Sequence, residues 1–180
     1  MHIFLIAMLL LLTAPLQAEE NTSSDDALAI AVAQLRDSIG QWQVVTEFLN
    51  EDGSIARSVA GSYEFAWVLE DRIASGVSSL PALDMTSAIL FYVNEADKKI
   101  EMVSVGRDGK LWIMNGPLDG ETRHSQEFDT ADGGKAQLRF TRYNVAPARF
   151  ESRMEYTTDG GETWLPGNHQ VFSRRAIPEQ

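Results

Sequence analysis

The sequence contains no cysteine. Disulfide, thiolate and iron–sulfur chemistry are therefore excluded, as is a lipid anchor on an N-terminal cysteine, and the fold must hold through its core alone. Histidine is nearly as scarce: beyond His2 there are only His124 and His169. Neither stands in a His-x-His or His-Glu-x-x-His spacing, and the Asp-Gly stretches lack the ligand series of a calcium loop, so no metal ligand and no cofactor is expected. Positive charge is short as well, with 15 Lys and Arg against 26 Asp and Glu and a formal net charge of -11. A surface of that sign repels phosphate backbones and anionic lipid, so neither nucleic acid nor a membrane is expected as a partner. A Gly-x-Ser-x-Gly elbow is missing too, and carboxylates such as Glu70-Asp71 or Glu151 and Glu155 read as surface charge. With no acid, base and nucleophile set apart by spacing, the sequence leans away from an enzyme.

Long apolar runs are limited to Ile3–Leu12, which is shorter than the roughly 20 residues a helix needs to cross a bilayer. Thr13-Ala14-Pro15 breaks that run, and Leu16-Gln17-Ala18 offers a small residue for cleavage. Residues 1–18 are therefore expected to be a secretory signal peptide cut after Ala18, with the protein exported to the periplasm or the medium. Positive charge ahead of the run is confined to the amino terminus and His2. Residues 1–18 carry no Asp, Glu, Lys or Arg, so the mature chain keeps the whole net charge.

What is present is ordinary globular usage, 44% hydrophobic and 23% charged over 180 residues, enough for one domain with a sizeable core. Residues 19–26 are polar and read as a flexible tether. From Asp25 to about Ile39 the pattern is helical: Ser24 can cap, Asp25 and Asp26 charge the first turn, and Leu28, Val32 and Leu35 recur on one face until Gly40. This helix is expected to pack over an end of the β-structure that the rest of the chain forms.

After Gly40 the chain reads as strand, tight turn, strand. Strand patterns lie at about Gln41–Asn50, Ile55–Leu69, Arg72–Leu80, Met85–Val93, Lys99–Gly106, Lys110–Asn115, Glu121–Phe128, Lys135–Tyr143, Arg149–Thr157 and Thr163–Arg174. Glycine-bearing stretches such as Glu51-Asp52-Gly53-Ser54 and Arg107-Asp108-Gly109-Lys110 join them as hairpin turns. Tyr63, Phe65, Trp67 and Leu69 share one face of the second strand. Met85–Val93 is apolar on both faces and is expected to be covered on both sides. On the late strands Leu138, Phe140, Phe150, Met154 and Tyr156 alternate with Arg139, Thr141, Tyr143, Glu151, Arg153 and Glu155; the charged set is expected outward, the alternative being a wide, wet barrel in which it forms a cage for a charged ligand, between which parity alone does not choose. The spacing predicts an all-β fold: one closed antiparallel up-and-down β-barrel of about ten strands, preceded by one N-terminal helix.

The motifs Leu35–Trp42 (LRDSIGQW), Tyr63–Asp71 (YEFAWVLED), Ile89–Met102 (ILFYVNEADKKIEM) and Phe172-Ser173-Arg174-Arg175 resemble the calycin group of lipocalin-like barrels. Within it they most resemble the DUF1579-type family of small bacterial domains. The resemblance covers about Ala27–Arg175, giving a barrel domain over 27–175 and a tail over 176–180. It implies that Gly40 ends the helix, that Trp42 plugs the lower end of the barrel, and that Arg174 or Arg175 on the last strand stacks on Trp42. Haem-binding relatives place a histidine ligand on a late strand; His169 lies in that region, but Gly167-Asn168-His169-Gln170 departs from their His-Leu context, so a solvent-facing histidine is expected.

Thr157–Trp164 (TTDGGETW) matches the Asp-box hairpin. A single copy reads as a turn device rather than a sugar-cleaving site: Asp159 accepts backbone N–H groups, Gly161 supplies a positive φ and Trp164 packs beneath. The function expected is binding of a small apolar or amphipathic molecule in a lumen lined by Trp67, Tyr92, Met102 and Trp112, since ten strands leave room that eight barely do. The alternative is an interaction or structural domain whose barrel is filled by its own side chains, with a haem-binding barrel or a lipocalin-like enzyme third.

Overall fold

The computed structural model describes residues 23–175. The expected signal peptide, most of the tether and the tail lie outside the described residues.

Helix α1, Ser24–Ser38, begins one residue earlier than the charge pattern suggests, because Ser23 rather than Ser24 is the cap: its hydroxyl accepts the Asp26 N–H at 3.2 Å. Asp25 and Asp26 sit in the first turn and Arg36 in the last, each favourable to the helix dipole. The face formed by Ala31, Gln34 and Leu35 is buried, and the chain leaves the helix through Ile39.

The strands are β1 Gly40–Leu49, β2 Ile55–Leu69, β3 Ile73–Leu80, β4 Met85–Asn94, β5 Lys99–Gly106, β6 Leu111–Pro117, β7 Thr122–Ser125, β8 Phe128–Asp129, β9 Lys135–Ala146, β10 Arg149–Thr157 and β11 Leu165–Arg174. Each pairs antiparallel with its neighbours in sequence. β9 skips the two-residue β8 to pair with β7, and β11 pairs with β1 in the register Trp42↔Arg174 and Val44↔Phe172, which closes a ten-stranded barrel. Closure leaves no long unpaired edge among the described residues.

The expected seventh strand, Glu121–Phe128, is interrupted. Past Ser125 the Gln126 side chain replaces backbone pairing: its Oε1 accepts the Ile113 N–H at 2.9 Å, its Nε2 donates to the Leu111 carbonyl at 3.3 Å, and its own N–H donates to the Ile113 carbonyl. With the backbone groups of β6 satisfied in this way, the chain is released to form β8.

Alternation decides the two faces of the wall. Trp42, Val44 and Thr46 of β1 point in and are buried, while the residues between them face water. β4 follows the same rule, which corrects the expectation that it is covered on both sides: Ile89 and Phe91 are buried, whereas Leu90 and Ala88 are exposed. An antiparallel barrel has no outer helix layer, so an apolar outward residue simply meets solvent. On the late strands the charged set does face outward, with Arg139 paired to Glu155 at 2.7 Å and Arg149 to Glu151 at 3.0 Å.

Helix α1 plugs one end. Ala31 and Leu35 pack with Ala74, Phe91, Ile100 and Leu118, and Trp67 joins this cluster from β2. Beside it a second cluster holds Trp42, Val44, Phe150 and Phe172, with the Phe150 and Phe172 rings stacked at 4.2 Å and Phe150 meeting Trp42 edge-on at 5.0 Å. The Trp42 indole donates to the Ser38 carbonyl at 2.9 Å.

The guanidinium that covers Trp42 is that of Arg174, 4.3 Å from the ring centroid. It also donates to three carbonyls: Ile39 at 2.6 Å, Asp37 at 3.1 Å and Pro147 at 2.9 Å. Arg175 contributes a backbone bond to the Gln41 carbonyl. Gly40 is demanded twice over, by a φ of +116° and because a Cβ there would lie 2.6 Å from Arg174 Nη1.

Trp42 is 2% exposed, so Trp42→Ala removes a core indole together with the surface on which Arg174 rests. The substitution is expected to cost about 3 to 5 kcal/mol, read as a lower denaturation midpoint or as loss of soluble protein. A Trp42→Ala protein with an unchanged midpoint would contradict this account of the closed end.

Candidate functional site

The interior between the helix plug and the opposite rim holds a cavity of about 300 Å³. It exists because the inward positions of three successive strands carry small side chains, Ser78 of β3, Ser87 of β4 and Ser104 of β5. The aromatic and thioether groups that line the rest of it, Phe140, Trp112, Met102 and Met114 among others, leave that space unfilled. The lumen runs from Ser38, Arg123 and Arg142 near the helix to Met85 and Trp112 at the far rim. At that rim β2, β4 and β6 begin with Ile55, Met85 and Leu111, all exposed. The mouth is therefore edged with apolar surface.

One wall carries a buried polar strip. Gln170 donates to Thr46 Oγ1 at 3.0 Å and accepts from Ser152 Oγ at 3.3 Å. The Tyr63 hydroxyl meets Gln170 and Ser78, and burial pushes its pKa above the ordinary tyrosine value.

The floor is cationic. Arg142, 5% exposed, makes a bidentate pair with Glu121 at 2.8 and 3.0 Å, and Asp37 lies 3.8 Å away. Arg123, 2% exposed, donates through Nη2 to Gln34 Oε1 of the helix, while Gln34 Nε2 donates to the Gly120 carbonyl at 3.1 Å. Among the described residues no carboxylate stands within salt-bridge distance of Arg123. Burial, reinforced by the neighbouring Arg142 charge, pulls its pKa down to about 10, so it is still charged at neutral pH. Its guanidinium lies 5.0 Å from the Phe91 ring. Arg123 Nε and Arg142 Nη1 are buried without an acceptor among the described residues.

Of the side chains expected in the lumen, Met102 and Trp112 line it. Trp112 is braced at the mouth by the edge of Phe128 at 5.0 Å and by Lys110 over its ring at 4.3 Å. Trp67 points inward but is covered by α1. Tyr92 requires correction: one position after the inward Phe91, it stands on the outer surface, where its hydroxyl donates to Glu101 at 2.5 Å. Arg123 and Arg142 are absent from the side chains that the sequence pattern marks for the site. The signal that could have found them is parity, since Arg142 shares the inward face of Leu138 and Phe140; Arg123 sits on the strand whose pattern is blurred by its early end.

His169 is on the outer face of β11, 23% exposed, with Nδ1 bonded to Glu47 and Nε2 to Glu151, each at 3.0 Å. Both ring nitrogens are thus engaged outside the lumen, and the hydrogen bond from His169 holds the Glu151 carboxyl below its ordinary range. The Asp-box hairpin forms as the pattern predicts. Asp159 accepts from the Thr157 hydroxyl at 2.6 Å and from the Thr163 N–H at 3.0 Å, and Gly160 and Gly161 both take positive φ. Trp164 lies on the outer wall between His124 at 5.6 Å and Arg139 at 4.3 Å.

No family model matches the chain, and no curated protein does. Among 18 solved chains that match, the S-type phycobiliprotein lyase CPES from Guillardia theta superposes with a TM-score of 0.50 at 12% identity, covering 86% of this chain and 98% of that one. EF1p2_mFAP2b bound to DFHBI is 17% identical over 81% of this chain and 98% of that one, with a TM-score of 0.33. The first likeness bears on the fold alone, a closed antiparallel β-barrel; the second superposes too loosely to add to it.

The Thr157 hydroxyl and the hairpin N–H groups hold the Asp159 carboxyl down to about 2 from an ordinary 3.8. Because the folded value is depressed, the stabilisation is present above 3.8 and is lost as pH falls through about 2. Asp159→Ala should therefore lower the thermal midpoint near neutral pH, and the gap to the unsubstituted protein should close on acidification across that window. A gap that stays constant with pH would show that the carboxylate has no part in holding the hairpin.

Proposed function

We propose that this protein is an exported carrier of a small apolar or amphipathic molecule held in the barrel lumen. The observation that carries the reading is the open, mainly apolar lumen with an apolar mouth. Its volume of about 300 Å³ stands at the lower end of the roughly 300 to 1,000 Å³ occupied by small-molecule sites. A barrel filled by its own side chains has no use for three inward serines facing aromatic walls. The similar phycobiliprotein lyase keeps an enzyme of this fold in view, yet among the described residues lining the lumen there is no Asp, Glu or His. An acid–base pair in reach of a bound molecule is what such chemistry needs.

Nile red, a neutral dye, is expected to bind the purified protein with a blue-shifted emission, and native mass spectrometry of protein from its own host is expected to show an adduct of small mass. Filling the lumen with Ser87→Leu and Ser104→Leu together should abolish dye binding while the circular dichroism of the barrel is kept. A folded protein that takes up neither dye nor any small molecule would overturn the carrier reading.

The chain's place in the DUF1579-type family is part of the same proposal, supported by the closed-end set of Gly40, Trp42 and Arg174 from two of the motifs that suggest it. Export by residues 1–18 is supported by the apolar run and the Pro15 break. The mature protein from a periplasmic or culture fraction should begin at Glu19 on amino-terminal sequencing; an intact chain confined to the cytoplasm would refute it.

A further inference from the structure

Resting on the carrier reading, we propose that the lumen selects a single-chain amphiphile with a carboxylate head, seated head-down on Arg123 and Arg142 with its tail toward Met85 and Trp112. Placing a guanidinium in an apolar interior is costly unless the charge is matched and its N–H groups are accepted. Both arginines line the lumen, and each keeps one buried nitrogen, Arg123 Nε and Arg142 Nη1, without an acceptor among the described residues. The charge count points the same way. Glu121 neutralises Arg142 through two hydrogen bonds, and Asp37, half exposed at 3.8 Å, adds little through water. Arg123 has the neutral Gln34 as its side-chain partner. Arg142 thus has both carboxylates of the floor beside it and Arg123 has neither within salt-bridge distance, so the charge left to be matched is that of Arg123, which fits a monoanion.

A carboxylate has two oxygens and accepts charge-assisted bonds from two guanidinium nitrogens. Above the floor the walls turn apolar, through Phe91, Met102, Met114 and Leu138 to the exposed Met85 at the rim. A tail pointing toward the mouth meets mainly such groups and the small serines, with the internally bonded strip of Gln170 and Tyr63 on one side. A neutral alcohol of equal length would fill the same volume, but it would leave the Arg123 charge unmatched.

Isothermal titration of the full protein at neutral pH with dodecanoate, dodecanol and dodecylamine tests this. Dodecanoate is expected to bind at least about tenfold more tightly than dodecanol, as hydrogen bonds to a buried charge imply, and dodecylamine not at all. Arg123→Met should remove most of the preference for the acid over the alcohol. Equal affinity for acid and alcohol in a protein that binds Nile red would overturn the inference and leave the carrier reading standing; loss of Nile red binding as well would remove both. If Arg123→Met does not fold, the comparison of acid with alcohol on the unsubstituted protein decides the matter by itself.

Discussion

The closed end of the barrel depends on the Arg174 guanidinium. Lying on Trp42 and donating to carbonyls of Asp37, Ile39 and Pro147, it ties the last strand to the end of α1 and to the turn between β9 and β10. The Asp37 and Ile39 carbonyls stand where the helix ends and the first strand begins, a place where backbone acceptors lack a partner within the helix. The same contact explains Gly40: no side chain fits between the arginine and the backbone, and the helix-to-strand reversal needs a positive φ at that point. Helix, first strand and last strand are thereby fixed together, and the remaining hairpins are positioned by pairing outward from them.

A closed end of this kind allows the rest of the interior to be loosely filled. Tight packing is concentrated under α1 and around Trp42, Phe150 and Phe172, whereas the middle of the lumen is bounded by serines. Filling such a space with apolar atoms ordinarily adds stability. Leaving it open therefore gives up stability that the chain could have had, as binding sites commonly do. The two buried arginines belong to the same category. They serve the fold less well than apolar residues of similar size would, and what they supply is a localised positive charge at the bottom of an apolar shaft.

The polar strip of Thr46, Ser152 and Gln170, with Tyr63 beside it, is different in kind. Its groups satisfy one another across β1, β2, β10 and β11, so it makes the lumen wall chemically uneven without leaving a charge unmatched. Together these features give the interior an order along its axis: charge at the plugged end, hydroxyls and amide at one side, apolar rings and an apolar rim toward the mouth.

Much of this was legible in the residues themselves. Period-two alternation and glycine turns determined ten strands and their order, because each side chain's face follows from the pleat and each hairpin from its turn chemistry. The opening Gly40 and Trp42 and the arginine of the last strand marked the closed end through the resemblance. Where a side chain replaces the regular pattern, the period-two alternation does not announce it: Gln126 ends β7 by bonding the Leu111 and Ile113 backbone of the neighbouring β6 through its amide. Periodicity also does not tell which apolar residues border space and which border the helix, so it places Trp67 in the lumen although α1 covers it, and the expectation of an inward Tyr92 runs against the parity of Phe91. Parity alone does put Arg142 on the inner face, yet its meaning, like that of Arg123, came only from closure. The ring brings β7, β9 and the helix together at one end, and a charge is unmatched only relative to neighbours that the chain order does not reveal.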